Sequence, residues 1–138
     1  MAASDVYASH PVRGNMPEMK AVSGTFFADP AKTGSADPCP KITGKGYTAF
    51  RSGTGVYRVI PNKPGMRVFA GHGNCALATP AARFVQNKTI SPGGASQTSG
   101  GTNFEFVVVD ASGAATDLTS SDSISFTIWV MERRFPKV

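Results

Sequence analysis

Apolar and polar positions alternate most regularly near the C-terminal end of the chain. In T-N-F-E-F-V-V-V-D (102–110), Phe104, Phe106 and Val108 fall on one side of an extended backbone. In D-S-I-S-F-T-I-W-V-M (122–131), Ile124, Phe126, Ile128 and Val130 do the same, and Trp129 falls on the side opposite Phe126. Successive side chains of a strand point to opposite faces, so a period of two is what a half-buried strand needs. The residues between, A-S-G-A-A-T-D-L-T-S-S, are small turn formers. This pattern predicts a pair of long antiparallel strands against which the rest of the chain packs.

The same logic reads the middle of the chain as hairpins. Residues 47–51 form a short strand, Ser52-Gly53-Thr54-Gly55 a turn and residues 56–60 the return strand. Two glycines supply the positive φ that such turns require. Pro61-Asn62-Lys63-Pro64-Gly65 is a second turn, since proline cannot donate to a ladder. A strand over 66–70 is then broken by Gly71-His72-Gly73-Asn74. Residues 75–78 and 82–90 are either one strand bent at Pro80 or two strands. Residues 91–101 are nearly all small and polar and read as a surface loop. Residues 132–138 are a short basic tail.

Residues 1–46 differ in character. They hold five of the ten prolines (Pro11, Pro17, Pro30, Pro38, Pro40), which works against helices and central strands. Within them, A-V-S-G-T-F-F (21–27) is either an edge strand or an apolar plug that docks elsewhere. The first twenty residues read as an extended arm with apolar anchors at Val6, Tyr7, Val12, Met16 and Met19. The arm is either a frayed terminus or a segment lying on a neighbouring subunit. The expected organisation is therefore a Pro-rich arm over 1–46 and a β-domain over 47–138. About seven strands at intervals near ten residues indicate an all-β fold, an antiparallel sandwich or barrel.

Composition agrees with a packed β-domain. The chain has 138 residues, 41% hydrophobic and only 17% charged, so Ser, Thr, Gly and Asn must finish much of its surface. That length suffices for a core without disulfide staples. The net charge of +5 comes from scattered residues, with Arg133-Arg134 the only adjacent basic pair. Such a mild excess fits solubility or an acidic protein neighbour better than nucleic acid. No apolar run approaches the ~20 residues that span a bilayer, and the N-terminus shows no signal-peptide pattern. The expectation is a soluble protein made in the cytoplasm, with no nucleic-acid or membrane partner.

The inventory for chemistry is thin. His10 lies in the arm and His72 in a Gly-rich turn, neither set beside a group that would orient a general base. Cys39 and Cys75 stand 36 positions apart without companions for a metal site; free thiols are the default, with a disulfide as the alternative. Asp110, Asp117 and Asp122 flank one loop, but their spacing is not that of a calcium loop. Thr43-Gly44-Lys45-Gly46 lacks the hydroxyl residue and helix of a phosphate loop. Tyr57-Arg58 and Arg67-Val68-Phe69 are a thin version of an aromatic and basic nucleic-acid face. No catalytic residue, metal ligand or cofactor is assigned. The residues assigned to interaction are Val6, Tyr7, Val12, Met16, Phe26, Phe27 and Trp129. Trp129 either fills a second core layer or anchors a subunit contact, a role in which tryptophan is enriched.

Two strings carry a resemblance. R-S-G-T-G-V-Y-R-V-I-P (51–61) contains G-x-G-x-Y-x-V leading into a strand. V-V-V-D-A-S-G-A-A-T-D-L-T-S-S-D-S-I-S-F-T-I-W-V (107–130) contains D-x-S-G-x-A-x-D leading to a polar turn and a last strand. Over about half the chain these resemble small virion proteins of tailed bacteriophages, capsid decoration (cement) proteins more than tail-tube or major capsid proteins. The resemblance implies a compact β-domain, commonly a homotrimer, seated on the outer capsid surface at threefold positions. Its partners would be the major capsid protein and other copies of itself, with an arm reaching across neighbouring subunits and no active site. The first 46 residues lie outside the resemblance. The alternatives are a tail or fibre-adaptor virion protein and a carbohydrate-binding sandwich, which would need exposed coplanar aromatics.

Overall fold

A computed structural model describes residues 19–62, 66–90 and 104–132, with the backbone alone for residues 19, 66, 67, 69, 88–90, 131 and 132. The described residues form eight strands and no helix: β1 (Met19–Phe27), β2 (Lys41–Gly44), β3 (Tyr47–Gly53), β4 (Val56–Pro61), β5 (Met66–Ala76), β6 (Arg83–Ile90), β7 (Phe104–Asp110) and β8 (Ser123–Glu132). They make two four-stranded antiparallel sheets, ordered β2-β1-β8-β5 and β3-β4-β7-β6. The sheets face each other as a sandwich, not a closed barrel. β1 pairs with β8 and β4 with β7, so strands from the two halves of the chain lie side by side in each sheet.

The core between the sheets is aromatic. Phe26, Tyr47, Tyr57, Phe104, Phe106 and Phe126 are all buried. Their rings meet edge-on or tilted, Tyr47 and Phe126 at 4.7 Å between centroids and Phe104 and Phe106 at 4.9 Å. Such geometries add to the burial of apolar area. Val59, Val108, Ile124, Ile128 and Val130 complete the layer.

The structure departs from the sequence expectations in four places. The two C-terminal strands are not a hydrogen-bonded pair: β7 and β8 lie in different sheets. Their apolar faces look at each other across the core, with Phe106 and Phe126 6.1 Å apart. Period-two alternation marks a buried face but not which sheet holds it. Gly71-His72-Gly73-Asn74 does not end a strand, and His72 is not in a turn; β5 runs through all four residues to Ala76. Residues 21–27 are neither an edge strand nor a plug, because β1 sits between β2 and β8. Finally, Lys41-Ile42-Thr43-Gly44 is an eighth strand, fully exposed and held by pairing with β1. With β1 and β2 built into one sheet, the expected arm contributes two strands to the sandwich. The arm anchors Val6, Tyr7, Val12 and Met16 lie outside the described residues.

Glycines make the core possible. Gly71 and Gly73 point into the sandwich, where a Cβ at Gly71 would come 2.8 Å from Ile128 Cγ2 and 2.9 Å from Phe104 Cζ. A Cβ at Gly73 would press on the Phe106 ring at 3.0 Å. At the other end of the sheet, a Cβ at Gly24 would meet the Tyr47 ring. The facing rings occupy the volume that side chains on β1 and β5 would take.

Two buried hydroxyls tie the layers together. Tyr57 Oη donates to the Ala28 carbonyl at 3.0 Å and accepts from the Leu118 amide at 3.2 Å. Tyr47 Oη lies 2.9 Å from the Thr43 carbonyl and 3.1 Å from that of Thr25, so its proton is shared between β2 and β1. Buried polar groups need such partners. Burial pushes both phenols up from 10.0 to about 12.

Gly71→Ala should cost about 1–3 kcal/mol, the usual penalty of overpacking. Gly34→Ala, where nothing lies within 4 Å of the new Cβ, should stay within about 0.5 kcal/mol of the parent; urea unfolding of both variants checks the contrast. The tyrosines give a second expectation. An unfolded chain loses their protons near pH 10, while the folded chain holds them to about 12. Their contribution is therefore complete below pH 10 and disappears as pH rises through 12. The urea midpoint should fall across that window, and less steeply in Tyr57→Phe.

Candidate interaction surfaces

The strands deal their residues to three places: the core, the outer face of β2-β1-β8-β5 and the outer face of β3-β4-β7-β6. The first outer face is rich in hydroxyls. β8 presents Ser123, Ser125, Thr127 and Trp129, and their register partners on β1 are Phe27, Thr25, Ser23 and Ala21. On the other side, β5 presents Ala76, Asn74, His72 and Ala70. Thr25 Oγ1 and Ser125 Oγ are 2.9 Å apart, a cross-strand hydroxyl pair of the kind that stabilises sheets. Ser23, Thr25, Thr43 and Ser125 rim a shallow open depression floored by Gly24, Gly44 and Phe126. The missing side chain at Gly24 admits the Tyr47 ring from below.

Trp129 stands on this outer face, half-buried, between Ala21 and Ala70 in register. Its ring packs against that of His72 at 5.5 Å between centroids. Phe27, 37% exposed, marks the opposite end of the face. Six residues of strand separate Ala21 from Phe27, about 20 Å at ~3.4 Å each. Trp129 and Phe27 thus bracket a hydroxyl strip. Phe26 is different: it is wholly buried in the core, packed on Tyr47, Tyr57 and Phe126, and offers no surface to a partner. One residue of strand separates its role from that of Phe27.

The charged and nucleophilic side chains weighed in the sequence are engaged in the fold. Asp117 accepts from Arg51 Nε at 2.8 Å and Nη2 at 3.0 Å, and from the Gly55 amide at 2.7 Å. This hooks the β3–β4 turn to the β7–β8 connection; the Arg51 hydrogen bond is the main cause that holds the Asp117 carboxyl below its ordinary range. Asp110 accepts from Ser112 and from the Ala114 amide and shapes its own turn. Burial pushes the Asp122 carboxyl up, but the amides of Thr119 and Ala78 outweigh it and hold the carboxyl low. Cys39 and Cys75 are free. Burial raises the Cys39 thiol to about 11, well away from a reactive thiolate at neutral pH. Among the described residues no three His, Cys, Asp or Glu side chains gather as metal ligands.

The second outer face was not singled out by the sequence. It carries Thr48, Phe50, Val56, Arg58, Ile60, Glu105, Val107, Val109, Phe84 and Gln86, with one ion pair in the middle; Phe50, Val56 and Val109 are already buried within the chain, which leaves Ile60, Val107 and Phe84 as the apolar side chains open to contact. Its signal lay in V-Y-R-V-I and F-E-F-V-V-V, where the positions between the core residues are themselves largely apolar. Comparison with protein-family models, curated proteins and solved structures finds no match.

Asp117→Ala should unhook the hairpin, leaving Arg51 and the Gly55 amide without their carboxylate. The expected loss is about 1–3 kcal/mol, read as a lower urea midpoint at neutral pH and a difference from the parent that shrinks only as pH falls below the ordinary carboxylate range and through the lowered titration point of the folded Asp117.

Proposed function

We propose that this chain is a non-enzymatic virion protein of a tailed bacteriophage, a decoration protein that binds the outside of the capsid and reinforces it. One observation carries the reading: the outer face of β2-β1-β8-β5 is a strip of short hydroxyl side chains bracketed by Trp129 and Phe27. A strip of short side chains suits the surface of another folded protein, where shape complementarity and many short hydrogen bonds act together. Aromatic residues at its ends supply the anchoring contacts. The described carboxylates and thiols are occupied in holding the sandwich, which favours a structural role over chemistry.

The two strings that resemble decoration proteins occupy structurally demanding positions. R-S-G-T-G-V-Y-R-V-I-P builds the β3–β4 hairpin, in which Gly55 takes φ +68° and packs against Thr116 and the Val108 carbonyl. The D-A-S-G-A-A-T-D stretch builds the turn that meets it. The strings that carry the resemblance thus form two parts of the sandwich that meet each other. The partner in this reading is the major capsid protein, with residues 1–18 extending the contact to a neighbouring subunit. Repetition of one weak contact over a symmetric shell multiplies its effect.

Sedimentation of the purified protein with mature heads and with unexpanded heads tests the reading. Co-sedimentation with mature heads alone is the expected result. Trp129→Ala should weaken it by about tenfold or more, and removal of residues 1–18 should weaken it while leaving the melting temperature within a few degrees. Binding only to tails, or to glycans on an array, would overturn the capsid assignment.

A further inference from the structure

We infer that the outer face of β3-β4-β7-β6 is a self-association surface, on which a second copy of this chain stacks about a two-fold axis lying along the strands between β4 and β7. The inference concerns the face opposite the one that carries the capsid reading, and its two-fold contact departs from the homotrimer that the resemblance implies.

The central ion pair is incomplete within one chain. Arg58 and Glu105 are register partners across β4 and β7. Yet Arg58 Nη2 is 3.6 Å from Glu105 Oε2, which instead accepts from Ser52 Oγ at 2.8 Å. The Arg58 guanidinium leans over the Phe50 ring at 5.9 Å. Arg58 Nε is shut off from solvent within the chain and, among the described residues, meets no hydrogen-bond acceptor, an arrangement that costs free energy; the rest of the side chain, 32% exposed, is the part a second copy can reach. A carboxylate has room for about four hydrogen bonds, so a second Glu105 could receive what the first does not.

The strand order says where that second carboxylate comes from. The order β3-β4-β7-β6 is carried onto itself by a half-turn about an axis above the β4–β7 seam: β4 falls over β7, and β3 over β6. Because Arg58 and Glu105 share one register, this operation sets each Arg58 over the other copy's Glu105, twice. Stacked sheets sit about 10 Å apart with their strands within about 30°, a gap that an extended arginine spans. Phe84, 56% exposed on β6, then covers the β3–β4 turn of the other copy. Among the described side chains this face carries one cation and one anion, so it complements itself despite the chain's net charge of +5. An isologous contact requires such self-complementarity.

Charge exchange between two preparations tests this arrangement. The Arg58→Glu variant presents two carboxylates on the face, and Glu105→Arg presents two guanidinium groups. Each should repel its own copies, and sedimentation equilibrium should read half the wild-type mass, with association weakened by about tenfold or more. An equimolar mixture of the two should regain the full mass, since each cation then meets an anion across the axis and not within its own chain. Phe84→Ser, changing an exposed side chain, should also weaken association while keeping the parent's circular dichroism, and it serves if the charge variants fold poorly. Four results would overturn the inference: an odd-numbered wild-type species, single variants that keep the wild-type mass, a mixture that fails to recombine, or a monomer that associates only after removal of residues 1–18, which would give the face to the chain's own N-terminal segment.

Discussion

The sandwich depends on rings in one sheet entering space left empty by glycines in the other. Phe104 and Phe106 project from β7 towards Gly71 and Gly73 on β5, and Tyr47 projects from β3 towards Gly24 on β1. Protein interiors are packed as densely as organic crystals, so a ring can reach the facing backbone only if the facing residue has no side chain. That constraint sets the spacing of the layers. It also explains glycines inside strands, where they weaken the strand itself by entropy. The cost is local, and the burial of six aromatic side chains offsets it across the whole interface.

Around that layer, polar contacts decide how the connections lie. Tyr57 Oη reaches past the core to the Ala28 carbonyl and the Leu118 amide, so one phenol positions both the segment after β1 and the segment before β8. The Arg51–Asp117 pair works at the sandwich end, partly exposed, where water weakens simple Coulomb attraction. Its value lies in direction: a bidentate guanidinium contact together with the Gly55 amide holds the turn at one angle. These ties allow the 28–40 segment to run beside β3, where the Cys39 amide donates to the Ala49 carbonyl and the Arg51 amide to the Lys32 carbonyl. The β3 edge is thereby covered, which limits uncontrolled strand pairing.

Fold class was legible in the sequence because alternation reports burial directly. Phe104, Phe106 and Val108, and Ile124, Phe126, Ile128 and Val130, face the core as their spacing implies. Pairing was not legible: a period of two is the same whether strands share a sheet or face each other. Glycine misled at Gly71 and Gly73 because the same residue marks a turn and a close approach, and only the position of Phe104 and Phe106 across the core separates the two. β2 escaped because Ile42 is its sole large apolar residue and is 47% exposed; its strand state comes from the β1 backbone. Of the surface residues, Trp129 was readable from its phase relative to Phe126. Phe26 was not separable from Phe27 without knowing which of two adjacent aromatics turned inward.

The two outer faces differ in a way that composition alone averages out. One has hydroxyls whose partners lie within reach of neighbouring strands, as in Thr25 and Ser125, with bulk only at its ends. The other has branched and aromatic side chains around an arginine whose Nε lacks an acceptor. A sheet face built only to meet water does not need the second arrangement, since short polar side chains serve both stability and solubility. A protein with two such faces can be held on both sides at once, by a broad polar contact on one and a compact apolar contact on the other. A contact on the first face would be tolerant of single losses, because its hydrogen bonds would be many and individually weak. A contact on the second would concentrate its energy in a few groups and exclude water from its charges, and would be the more selective of the two. That division of labour requires a rigid spacer between the faces, which is what interlocked rings and glycines provide.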